Sequence, residues 1–248
     1  GTMSLIVFFY KDKNFSMKYL IYSAKSFLYS IFIFGWFYLY LFTNYGSITA
    51  FNRLPSKFSF TNQPSSFYFD FALQDLFTRP IRGFTLTNKL FPILHADTWG
   101  DYWGYFLVTL GKGGRENFDI VPYLGRVNLI ALIPTFILLA GLIYTVITLR
   151  KKSYISQIFY ILISLTVSFM WIGYLWFLIK YPNLEKGDTI KGTYIISLIN
   201  LLPFFGANLL EKIRSINEKI YNYIFYLLLI IFLHNLPTYI TRFSGIYT

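Results

Sequence analysis

Between positions 95 and 105 the chain places a chemically capable side chain at every second residue: His95, Asp97, Trp99, Asp101, Trp103 and Tyr105. Aromatic planes and carboxylates at such close range suit a sugar, whose ring face stacks on Trp while its hydroxyls donate to carboxylate oxygens. An interfacial aromatic belt would account for the Trp and Tyr residues, but not for two Asp and a His set among them. The periodicity leaves two geometries open. As a helix, His95, Trp99 and Trp103 form one row and Asp97, Asp101 and Tyr105 another. As an extended chain, all six share a face, with Ala96, Thr98, Gly100 and Gly104 opposite. Gly100 and Gly104, two glycines in five positions, disfavour a regular helix.

The elements that must position this stretch are hydrocarbon-like. The chain has 248 residues, 55% hydrophobic and only 13% charged. With a mean hydropathy of +0.50 this composition is that of a membrane protein. Its net charge of +11 does not point to nucleic acid, because the basic residues sit in short clusters beside apolar runs rather than along a polar stripe. Cysteine is absent, which removes disulfides, thiolate nucleophiles and Cys-based metal sites. Neither a metal nor a cofactor is expected.

Five apolar runs approach the roughly 20 residues of helix that cross a bilayer: Ser26 to Thr43, Val127 to Leu149, Tyr154 to Ile179, Thr193 to Leu210 and Ile220 to Leu236. Pro134 and Pro203 predict kinks within two of them. The expected fold is an all-α polytopic membrane protein of about five transmembrane helices, with a long extracytoplasmic segment between the first and second. Lys11, Lys13 and Lys18, the triplet Arg150 to Lys152, and Lys212, Arg214 and Lys219 mark one side of the membrane as cytoplasmic. The chain then divides into a helix end and cytoplasmic link at 1–18, a transmembrane helix at 19–43, an extracytoplasmic segment at 44–126, and a four-helix transmembrane region at 127–248. The apolar stretch near Met3 reads either as the tail of a helix that begins outside this chain or as a short interfacial segment.

An outer segment of about 80 residues exceeds an ordinary connection and should be structured or functional. Phe69, Leu73, Leu76 and Phe77 recur at helical spacing, predicting a surface helix near residues 67–78 that Pro80 ends. Arg79 and Arg82 flank its end, where guanidinium groups either snorkel to the interface or meet phosphate. The Gly-rich stretch 111–119 lacks the Lys-Ser/Thr ending of a P-loop and reads as a turn. Lys186 and Lys191, in the outer link 181–191, run against the charge bias.

With these parts placed, the stretches "DTWGDYWGYF" and "GDTIKGTY" resemble the C-terminal part of a GT-C type polytopic membrane glycosyltransferase, in the group of protein O-mannosyltransferases and the aminoarabinose transferase of lipid A. The resemblance covers the layout of most of the chain and the sequence of those two stretches. It implies transfer of a sugar from a polyprenyl-phosphate carrier to a glycan, lipid or protein acceptor. The reaction would take place on the extracytoplasmic side of a prokaryotic inner membrane, with inversion at the anomeric carbon. Lys191 and Lys186 would then hold the lipid-linked phosphate, with Asp188 orienting the lysine; the alternative is an interfacial lysine pair set loosely against Glu185 and Asp188. His95, Asp97, Trp99, Asp101 and Trp103 would line the sugar or acceptor site. The family's acidic catalytic motif belongs in a first outer loop with no counterpart in this chain, so no catalytic base is assigned and the chain alone is expected to be inactive. Two other classes stand beside this one. A non-catalytic membrane subunit fits the missing base, whereas a transporter would want ionisable groups within the spans, which hold almost none beyond His234.

Overall fold

The computed structural model describes residues 17–46, 56–78, 80, 86–100, 120–149, 153–185 and 189–240. Among them every regular element is helical: α1 (Met17–Tyr45), α2 (Ser65–Phe69), α3 (Leu73–Thr78), α4 (Leu90–Trp99), α5 (Ile120–Ile130), α6 (Leu132–Thr148), α7 (Tyr154–Lys180), α8 (Ile196–Ile216) and α9 (Glu218–Ile240), with short 3-10 turns at Phe60–Asn62 and Gly192–Ile195. Four stretches are long and apolar enough to cross a membrane: Val121–Thr148, Ser156–Lys180, Gly192–Ile216 and Glu218–Tyr239. α1 makes a fifth if its halves Ala24–Ile33 and Gly35–Tyr45, inclined by 48°, form one span. The bend falls at a glycine, a common seat of helix kinks. The N-terminal stretch, residues 101–119 and the Arg150 to Lys152 cluster lie outside the described residues.

The chain divides into two compact units, Gly1–Pro55 with Leu149–Phe169, and Ser56–Thr148 with Met170–Thr248. In the first, α1 exposes Phe32, Trp36, Leu39 and most of its other large apolar side chains. Two of its hydroxyls turn back on the helix: Ser30 Oγ donates to Ser26 O and Thr43 Oγ1 to Leu39 O, each at 2.9 Å. These two groups therefore add little polarity to the surface of α1.

In the second unit α6 and α8 pack at close range. Gly141 lies against the backbone of Phe205, where any Cβ would collide with the Phe205 carbonyl. One turn on, Asn208 Nδ2 donates to the buried Thr145 Oγ1 at 2.7 Å. Small residues that admit close backbone approach, with a polar pair beside them, are a characteristic device of helix pairing in lipid. Likewise Gly125 of α5 sits against the Phe77 carbonyl of α3.

The end of α7 is closed by the segment that follows residue 55. A helix leaves its last four carbonyls without intrahelical partners. Here Phe177 O accepts from Tyr181 N at 2.9 Å, Leu178 O from Gln63 Nε2 at 2.8 Å, Ile179 O from Asn62 Nδ2 at 3.0 Å and Lys180 O from Ser56 N at 2.9 Å. Gln63 is itself held by Asn88, whose Nδ2 donates to Gln63 Oε1 at 2.9 Å.

The single surface helix expected near 67–78 is two short ones. α2 stops at Phe69 because the Asp70 carboxylate accepts from Ala72 N–H at 2.8 Å, a local turn that competes with the helix. Ala72 then takes a positive φ of 42°. Lys89 holds the turn from outside, 3.1 Å from Asp70 and 3.7 Å from Asp75. The backbone and Lys89 bonds keep the Asp70 carboxyl below its ordinary range. The apolar face divides accordingly: Leu76 is buried in the unit, while Phe69 and Leu73 stay exposed. Pro134 lies just after the turn at Ala131 that separates α5 from α6, and Pro203 lies within α8.

Replacing Gly141 by Ala should push α6 from α8 and cost about 1–3 kcal/mol, the range of core overpacking. The Tm in detergent, followed by far-UV circular dichroism, should fall by several degrees. Leu139→Ala, on an exposed face of the same helix, should leave it nearly unchanged.

Candidate functional site

The stretch around His95 is helical from Leu90 to Trp99, contrary to what its glycines suggest, because Gly100 caps the helix instead of interrupting it; the Gly100 N–H still donates to Ala96 O at 2.8 Å. Helical geometry separates the candidate residues that an extended chain would have gathered on one face. His95 and Trp99, one turn apart, look toward α5 and α6. Asp97, between them in sequence, looks the other way, toward the turn that precedes α8.

On the first face, His95 Nε2 lies 2.9 Å from Asn128 O, and Trp99 Nε1 donates to Thr135 Oγ1 at 2.9 Å. A carbonyl only accepts, so the proton sits on Nε2 and Nδ1 carries the lone pair. Thr135 Oγ1 gives its own proton to Ala131 O at 2.9 Å, leaving only a long 3.5 Å contact with Nδ1. Burial pushes the imidazole below its ordinary value, and the Asn128 carbonyl opposes that push only in part. His95 is thus a neutral tie between α4 and the α5–α6 junction. Asn128, only 1% exposed, adds a second tie by donating from Nδ2 to Leu76 O at 3.2 Å.

On the second face, Asp97 is 5% exposed and its Oδ2 accepts from Gly192 N–H at 3.3 Å. The neighbouring residue, Lys191, is fixed through its backbone by the buried Tyr174 of α7. The Tyr174 hydroxyl accepts from Lys191 N–H at 2.8 Å and donates to Lys191 O at 3.3 Å. The Lys191 side chain is half-buried, with Nζ 5.8 Å from the centre of the Tyr194 ring. At the end of α4, Tyr239 of α9 donates its hydroxyl proton to Thr98 O at 3.2 Å.

Of the residues singled out from sequence, His95, Asp97 and Trp99 share one short helix, and Lys191 is brought beside it through Gly192. Asp101, Trp103, Lys186, Asp188, Arg79 and Arg82 lie outside the described residues. Among the described residues no cluster of three or more His, Asp or Glu has the arrangement to hold a metal ion. What the arrangement offers chemically is a cation on a rigid backbone, a buried carboxylate that fixes the adjacent peptide, and aromatic rings nearby. Tyr174, Asn128, Thr135 and Tyr239 supply much of this rigidity, and sequence reasoning passed over them. Asn128 and Thr135 could have been noticed as polar residues in an otherwise apolar run, a placement that usually marks a hydrogen-bonded contact. Nothing comparable marks Tyr174 among 22 tyrosines.

Protein-family models, curated proteins and solved structures give no match to the chain.

The depressed imidazole fixes the sign of a pH effect. The folded state disfavours a proton that the unfolded chain accepts near the ordinary value of 6.5, so stability should be level above that pH and fall as pH drops below it. Thermal unfolding between pH 5 and 8 should follow this course with the slope of a single proton. In His95→Gln, whose amide can still donate to the Asn128 carbonyl, the slope should flatten.

Proposed function

We propose that this chain forms the carrier-binding part of a membrane glycosyltransferase, one that moves a sugar from a polyprenyl-phosphate carrier to a glycan, lipid or protein acceptor at the outer membrane face. The observation that carries this reading is the bond between Asp97 and the Gly192 amide, which seats α4 against the backbone beside Lys191. In such a transfer an acceptor oxygen attacks the anomeric carbon, the bond from that carbon to the phosphate oxygen breaks, and negative charge collects on the departing polyprenyl phosphate. A cation held at the phosphate stabilises that charge more in the transition state than in the ground state. Lys191 is the residue for this role. Tyr174 fixes its peptide on both sides, so little order need be imposed when the phosphate arrives. Asp97 acts as a positioning residue by holding Gly192.

A second reading, a non-catalytic membrane subunit, is favoured by the engagement of His95, Trp99 and Asp97 in ties within the fold. The two readings separate on carrier binding. In nanodiscs the 248-residue chain should bind a short-chain polyprenyl phosphate in preference to the corresponding prenyl alcohol, as measured by native mass spectrometry. Lys191→Ala should weaken phosphate binding at least about tenfold, the scale of one charge-assisted hydrogen bond. Asp97→Ala should weaken it less, and Asp97→Asn, which keeps an acceptor for Gly192 N–H, least. Equal retention of alcohol and phosphate, or an unaltered Lys191→Ala, would leave the subunit reading standing.

A further inference from the structure

A second feature, away from α4, has the form of a ligand site. α8 and α9 are joined by one residue, Asn217, which closes the first helix and opens the second. Its N–H donates to Ile213 O at 2.8 Å, while its side-chain Oδ1 accepts from Ile220 N at 3.1 Å. From this elbow a groove of about 480 Å³ runs between the two helices. Ala207 and Leu210 line one wall, and Tyr221, Phe225 and Leu228 line the other. The α9 positions recur at i, i+4 and i+7, a continuous stripe on one helix face.

The groove's length and chemistry point to its occupant. Its α9 lining runs about 12 Å from Tyr221 to Leu229 at 1.5 Å per residue and ends about 18 Å from the elbow. That is close to half of the roughly 30 Å hydrocarbon thickness of a bilayer, the depth of a single leaflet. The exposed side chains around it, such as Phe204, Ile230 and Leu233, are apolar, so the groove opens toward hydrocarbon if these helices span a membrane. Charge appears only toward the elbow, where Lys212, Arg214 and Lys219 outnumber Glu211 and Glu218. Arg214 is placed at the mouth, its guanidinium carbon 5.6 Å from the centre of the Tyr221 ring that forms the groove wall. Glu211 lines the groove one turn deeper than Arg214, and would keep an anionic headgroup at the level of the arginine.

We propose that this elbow binds an anionic phospholipid, with one acyl chain in the groove and the phosphate on Arg214. The inference does not rest on the glycosyltransferase reading. The sequence places the same elbow on the cytoplasmic side, where anionic headgroups attract juxtamembrane cations by about fivefold in binding per residue.

The test is native mass spectrometry of the full chain released from nanodiscs that contain equal amounts of phosphatidylglycerol, phosphatidylcholine and phosphatidylethanolamine, with helicity checked by circular dichroism. The wild-type chain should retain phosphatidylglycerol about fivefold over phosphatidylcholine. Arg214→Gln should bring the two to near parity, and Leu228→Trp, which fills the groove, should lower retention of both. No preference in the wild type, or a preference that survives Arg214→Gln, would overturn the proposal. So would selective retention of an ethanolamine lipid that is lost in Glu211→Gln, or a dimer of this chain that Leu228→Trp dissociates.

Discussion

The four carbonyls at the end of α7 are the constraint on which much of this structure turns. A peptide carbonyl left bare in an apolar setting costs several kcal/mol, and α7 ends with four of them in a single turn. They are met by one N–H from the helix's own continuation, two side-chain amides and one backbone N–H from the segment 56–63. That segment is therefore fastened to the end of a long helix although more than a hundred residues of chain lie between them. The fastening also fixes Asn88 through Gln63, and so the entry to α4.

α4 then acts as a short beam held from both sides. Its His95 and Trp99 bonds run to the α5–α6 junction, while its Asp97 bond runs to the link before α8. The Tyr174 hydroxyl, about two turns from the capped end of α7, holds the same link through both backbone groups of Lys191. A side chain that could serve a ligand thus stands on a backbone fixed at two successive residues. Such an arrangement favours binding through low reorganisation rather than through many contacts.

Much of this was legible in the sequence, and the reasons differ by element. The long helices follow from apolar runs whose length sets a span, and composition alone indicates the class. The break after Phe69 was less visible, because periodicity continues through Asp70 to Ala72 and only the local Asp70 bond reveals the competing turn. The two faces of α4 were readable as a helical option, but the nearby glycines argued against a regular helix, whereas Gly100 in fact only ends it. Sequence could not show that His95 and Trp99 spend their polar atoms on the fold. Partner identity is a tertiary fact: Asn128, Thr135 and Gln63 carry polar groups whose destinations lie 33 to 115 residues away.

The Thr145–Asn208 bond in the α6–α8 contact bears on biosynthesis. Asn208 lies in a helix that leaves the ribosome some sixty residues after its partner. During that interval the Thr145 hydroxyl can satisfy itself against its own helix, and the Asn208 amide meets it only once α8 reaches α6. Gly141 leaves the space for that approach. In a bilayer, this pair would make the docking of the later helix the step that commits the bundle to its final arrangement, after insertion rather than during it.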